Sequence, residues 1–169
     1  MFGIGAGKVE IYIPRTAYTV GEAIEGTLAL TVNSPVKARG VFLKLFAEQK
    51  FREYHHDSGP HHSSSDRHMT TVTRTVYDFV IQFDGEREYP KTLQPVSYPF
   101  RVYVPQEAIS LRQSTGTGGP VISIGPIKIG GSGFIGGGTG PIGPPEWFLE
   151  GYLDLPMAFD VSKRIRLNI

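Results

Sequence analysis

Apolar and polar side chains alternate along most of this chain, the period of a strand with one face in a core and the other in water. Between Ile24 and Val32, the residues Ile24, Leu28, Leu30 and Val32 fall on one face and Glu25, Thr27 and Thr31 on the other. Val9, Ile11 and Ile13 alternate with Glu10 and Tyr12, and Tyr98, Phe100, Val102 and Val104 with Arg101 and Tyr103. Tyr77, Phe79, Ile81 and Phe83 oppose Arg74, Asp78 and Gln82 within Thr71 to Phe83. Near the end of the chain, Trp147, Leu149, Leu153 and Leu155 face away from Glu150 and Asp154. Val161, Ile165, Leu167 and Ile169 likewise face away from Arg164, Arg166 and Asn168. The run Val41 to Glu48 differs: Val41, Leu43 and Leu45 oppose Phe42, Lys44 and Phe46. Apolar residues on both faces predict a strand in the middle of a sheet.

Turn chemistry separates these runs: Val20-Gly21-Glu22, Asn33-Ser34-Pro35, Asp84-Gly85-Glu86 and Asp154-Leu155-Pro156. A helical period appears at most for one turn, Gln106 to Leu111. Many short strands with turns at this spacing predict an all-β sandwich or barrel. The chain reads as one domain over residues 1–169, with two segments that break the alternation. Residues 54–68 are polar and hold all five histidines. Residues 113–145 are rich in Gly and Pro and read as an insertion with room for one strand, Val121 to Ile129.

Composition narrows the function classes. The chain has 169 residues, enough for a substantial core, and a formal net charge of +1, without the basic excess a nucleic-acid partner requires. It has no cysteine, so disulfides, thiolate metal sites and cysteine nucleophiles are excluded together. Residues 1–8 are too short and glycine-rich for a signal-peptide core, Phe2 stands where myristoylation needs Gly, and no run of about 20 apolar residues predicts a spanning helix. The expected location is cytoplasmic, with peripheral contact at membranes.

Local motifs point away from catalysis. Gly131-Ser132-Gly133-Phe134-Ile135-Gly136 spells a dinucleotide fingerprint, but Gly137, Gly138, Gly140 and Pro141 follow where a helix must begin. Gly125 to Ser132 lacks a phosphate-loop lysine, since Gly131 occupies its place. No nucleophile, base and orienting acid share a spacing that suggests a triad, and no cofactor is expected. His55, His56, His61, His62 and His68, with Asp57 and Asp66, offer imidazoles to zinc, copper or nickel. Ser58, Gly59, Pro60 and Ser63 to Ser65 separate them, so a solvated loop is the competing reading. Lys8, Arg15, Lys163, Arg164 and Arg166 form an anion- or partner-binding surface if the first and last strands lie side by side. Charged protection of sheet edges is the alternative.

The order of these motifs resembles the arrestin-like superfamily. Val9 to Ile13 followed by Tyr18-Thr19-Val20-Gly21-Glu22 and Ile24-Glu25-Gly26 is similar to the opening strand of that family and its Y-x-x-G-E turn. Ser34 to Val41 resembles its next turn, Pro99 to Pro105 its strand ending in Pro, and Trp147 to Ile169 the closing strands of an arrestin N-terminal domain. The α-arrestins and the sporulation-control type of arrestin domain are the nearest in character. Pro144-Pro145-Glu146-Trp147 departs from the ligase-docking PPxY motif, with Trp in place of Tyr. The resemblance covers the chain apart from residues 113–146. It implies an immunoglobulin-like β-sandwich of two antiparallel sheets, no enzymatic activity, and adaptor work in membrane-protein trafficking or signalling. Partners would be proteins, including membrane-protein tails or a second copy of the chain, bound through sheet edges and loops. A metal-binding protein using the histidine loop and a structural assembly subunit are the alternatives.

Overall fold

Period-2 patterning commits each strand to a core face, and turn residues fix where each strand ends. The computed structural model of the chain describes residues 5–55, 68–113, 122–124, 127–129, 140–156 and 159–169. Strands β1 (Gly7–Tyr12) and β2 (Ala23–Val32) pair antiparallel, with Val9 opposite Leu30 and Ile11 opposite Leu28. A short β3 (Val36–Ala38) leads into β4 (Gly40–His55), which pairs with β5 (His68–Asp84). After β6 (Arg87–Tyr89), β7 (Val96–Tyr103) returns along β2. Helix α1 (Glu107–Gln113), the small strands β8 (Ile122–Ile124) and β9 (Ile127–Ile129), β10 (Gly140–Asp154) and β11 (Val161–Leu167) complete the order.

Two antiparallel sheets carry the fold, β1-β2-β7 and β11-β10-β4-β5. Their inner faces meet in one cluster that includes Val9, Ile24, Leu28, Leu43, Leu45, Phe100, Trp147, Leu149 and Leu153. β4 lies between β10 and β5, as its two apolar faces require. Two further two-stranded sheets pair β3 with β6 and β8 with β9.

Several elements differ in extent from the sequence reading. Helix α1 has two turns, because Ala108 and Leu111, three apart, both reach the core. The single strand expected over Val121 to Ile129 is a pair, β8 and β9, with Gly125 and Pro126 between them. β4 and β5 run past the alternating windows to His55 and His68, which pair across the ladder. Gly140 to Pro145 belongs to β10. Proline cannot donate to a ladder, so the register of β10 on β4 shifts between Ile142 and Glu146, across Pro144 and Pro145. Gly143 supplies the positive φ of 76° in that kink. Its carbonyl accepts a 3.0 Å bond from the amide of Gln49, whose side chain is buried on β4.

At Gly151 side chains of the smaller sheet press against the backbone of β10. A Cβ there would lie 2.5 Å from Cδ1 of Leu28 and 3.3 Å from Cγ1 of Val9. Leu28 therefore fills the space that a side chain on β10 would need. Gly151→Ala is expected to lower stability by about 1–3 kcal/mol through overpacking. Leu28→Ala is expected to cost about 2–5 kcal/mol alone, and less when combined with Gly151→Ala. Thermal denaturation of the four chains checks this; strictly additive losses would show that the two positions do not compete for one volume.

Candidate functional site

The opening turn is built by close packing and one carboxylate. Gly21 has φ +85° and donates its N–H to the carbonyl of Val104 at 2.9 Å. Glu22 accepts the N–H of Thr19 at 2.6 Å and the guanidinium of Arg15 at 2.9 Å. A Cβ on Gly26 would meet the carbonyl oxygen of Tyr12 at 2.4 Å and the Phe100 ring at 2.7 Å, so both glycines have a steric cause. Tyr18 is buried beneath Arg15, whose guanidinium lies 4.6 Å from the ring centroid. Burial pushes the Tyr18 phenol up from its ordinary range.

The Thr19 N–H first, and then Arg15, hold the Glu22 carboxyl below the usual carboxylate range. A depressed carboxyl stabilises the fold above its unfolded pKa, and that contribution disappears as pH falls through the folded value.

The five basic residues separate into distinct places. Lys8 pairs with Glu10 on its own strand at 2.6 Å, and Lys163 contributes to the field that lowers the Glu10 carboxyl after Lys8 itself. Arg15 belongs to the turn just described. Arg164 and Arg166 point to the outer face of β11, where Arg166 pairs with Glu146 at 3.0 Å and Arg164 lies 3.6 Å from Glu150. The chain ends do meet: Tyr18 donates to the carbonyl of Asn168, and Asn168 to that of Thr16, both at 2.9 Å. Alternation along β11 nevertheless sends Lys163 and Arg164 to opposite sides, so no single cationic patch gathers all five. The named arginines and Lys8 each meet a carboxylate.

Of the histidines, His56, His61 and His62 lie outside the described residues. His55 and His68 form the closing rung of the β4–β5 ladder by backbone register. Among the described residues, no three His, Asp or Glu are grouped as a metal ion would require. The glycine-rich fingerprint at 131–136 also lies outside the described residues.

One surface emerged that the sequence reading did not assemble. The outer face of the four-stranded sheet carries two aromatic rungs, Phe42 stacked on Tyr152 at 5.1 Å and Phe46 on Phe148 at 5.4 Å. Lys44 opposite Glu150 separates them, and Glu150 in turn lies opposite Arg164. The Arg164 guanidinium sits 4.8 Å from the Phe46 ring and 5.2 Å from Phe148, while Lys44 covers Phe46 from 4.9 Å. Phe46 is only 2% exposed although it faces away from the core. Long cationic side chains lying over rings account for this. The signal was present in the two-sided apolar pattern of β4, but not the identity of the cover.

Beside that face lies the outer edge of β5, which among the described residues pairs with β4 alone. Tyr77, Phe79 and Ile81 stand opposite Ala47, Leu45 and Leu43, on the core side, yet Phe79 is 48% exposed and Val80, on the outer side, 45%. Between Tyr77 and Phe83 the only charge is Asp78. The other outer strands carry protective residues: Lys163, Arg164 and Arg166 on β11, Pro99 and Arg101 on β7, and Lys8 and Glu10 on β1. At Val76 a bulge interrupts the β4 ladder, since Ala47 pairs with Tyr77 and Glu48 with Thr75.

This two-sheet architecture is the arrestin-like β-sandwich. No family model matches the sequence, and no curated protein matches it. Among solved structures it is similar to Spo0M, the sporulation control protein from Bacillus subtilis, with a TM-score of 0.53 and 18% identity. The match covers 98% of this chain and 49% of that one, so the chain spans about half the length of the structure it resembles. No helix of the described residues is long and apolar enough to cross a membrane.

For the opening turn, Glu22→Gln is expected to lower the denaturant midpoint at neutral pH. The gap from the unaltered chain should close on acidification below the ordinary glutamate range, about 4.3. Midpoints measured across that range check the sign; a gap that widens in acid would rule out the Thr19 and Arg15 bonds as its source.

Proposed function

We propose that this chain is a non-enzymatic, protein-binding adaptor module that receives an extended partner segment along the edge of β5. The observation that carries the reading is the free stretch Tyr77 to Phe83, where an inward-facing phenylalanine is half exposed and only Asp78 bears charge. Backbone N–H and C=O groups on such an edge are satisfied when another strand adds to the sheet, and alternate side chains then select the partner. An added strand would also cover Phe79 with its inward residues, closing the sandwich at a side where a large core-facing ring meets solvent. The ion pairs on the neighbouring strands support a role in solubility and edge protection, not proton transfer.

Extended, water-exposed tails of membrane proteins are the partner class we assign to this edge, and trafficking or signalling at the cytoplasmic side of membranes is the setting. The arrestin-like fold supports that assignment by analogy of architecture.

Selection of a random-peptide display library on the full chain tests the reading. Selected peptides should slow amide hydrogen exchange across residues 77–83 and lose about tenfold or more in affinity, roughly 1.4 kcal/mol, against Val80→Lys. Binders that protect no amide of β5, or bind Val80→Lys equally well, would overturn the assignment of this edge.

A further inference from the structure

The β5 edge is self-complementary, and its registers can be compared one at a time. When two copies of a strand pair antiparallel about a two-fold axis normal to the sheet, residues directly opposite lie on the same face. A rotation centred on Asp78 sets that carboxylate against its own copy, and one centred on Ile81 sets it against Asp84 of the other chain. Like charges in direct opposition destabilise a sheet pair. A centre on Phe79 places Asp78 against Val80, which buries a charge beside an apolar side chain.

A centre on Val80 avoids all three conflicts. Asp78 then meets Gln82, an exposed amide able to donate to it, and Val80 meets Val80 on the outer face. On the inner face Phe79 meets Ile81 and Tyr77 meets Phe83, so every inward position faces an apolar one. The two side chains at the middle of this register, Phe79 and Val80, are the two large apolar residues that Tyr77 to Phe83 leaves most exposed, at 48% and 45%. The charge pattern, the apolar pattern and the exposure thus select the same centre.

We propose that two copies of this chain associate through antiparallel β5–β5 pairing centred on Val80, joining two four-stranded sheets into one continuous sheet. The proposal rests on the reading of β5 as a receptive edge and deepens it. The dimer occupies the backbone groups that a partner segment would use, so partner binding and self-association exclude one another. Dissociation of the pair is therefore the step that makes the edge available, and a concentrated pool of the chain is held closed to partners.

The chain contains no cysteine, which makes a single introduced thiol informative. Opposed residues in an antiparallel pair have Cα atoms about 4.5–5.5 Å apart, within the span of a disulfide, about 4.4–6.8 Å. Val80→Cys should form a covalent dimer on mild oxidation, whereas Ser97→Cys, exposed on the edge of β7, should not. Sedimentation equilibrium of the unaltered chain should show a monomer–dimer equilibrium, and Val80→Lys, with an unchanged far-ultraviolet circular dichroism spectrum, should be monomeric. Library-selected peptides that bind β5 should shift the unaltered chain toward one copy per particle. A monomer at every concentration, or cross-linking of Ser97→Cys as fast as Val80→Cys, overturns the dimer. Peptide binding at β5 by such a monomer would leave the partner-binding reading intact, while a dimer to which no peptide binds would remove that reading and keep this one.

Discussion

Strand β4 presents apolar side chains on both faces, and the arrangement of the larger sheet follows from having to cover them. On the inner side, Val41, Leu43, Leu45 and Ala47 are buried by the β1-β2-β7 sheet. On the outer side no second layer is formed by the described residues, and the cover comes from neighbours in the same sheet: the Phe148 ring, the Lys44 stem and the Arg164 guanidinium over Phe46. This places β10 on one flank of β4 and brings β11 within reach of the same rung. The other flank goes to β5, beyond which no further strand pairs among the described residues.

The two flanks differ in character, and the proposed receptive side rests on that difference. β11 ends the sheet with Lys163, Arg164 and Arg166, whose solvation opposes the approach of another strand. β5 ends it with a nearly uncharged stretch of aromatic and branched residues. In the proposed mode, strand addition at β5 extends an existing ladder along that stretch, whereas β11 meets an approaching strand with a row of cationic side chains.

Much of this fold was legible in the alternation. The core rows of β1, β2, β7, β10 and β11 are those the apolar positions marked, and the two-sided pattern of β4 placed it in the sheet interior. The glycines of the opening turn were legible as turn residues, although the crowding around Gly26 involves Tyr12 and Phe100 and so depends on tertiary packing. What the sequence could not supply is pairing. That β5 would be an outer strand and Phe79 half exposed follows from strand order, to which a local pattern is blind. The basic residues were likewise legible individually, but cross-strand register alone sets Arg164 opposite Glu150. Ends of elements were least legible, and at β10 prolines that read as loop are accommodated inside a strand.

That accommodation joins two distant parts of the chain. The bond from Gln49 to the Gly143 carbonyl spans 94 positions and satisfies a buried amide with an oxygen that the kink exposes. Neither residue is useful without the other: an apolar side chain at 49 would strand the carbonyl, and a straightened strand at 143 would strand the amide. Descendants of this chain should therefore exchange the two positions together, leaving a paired signature of inheritance between a buried glutamine and a proline-flanked glycine.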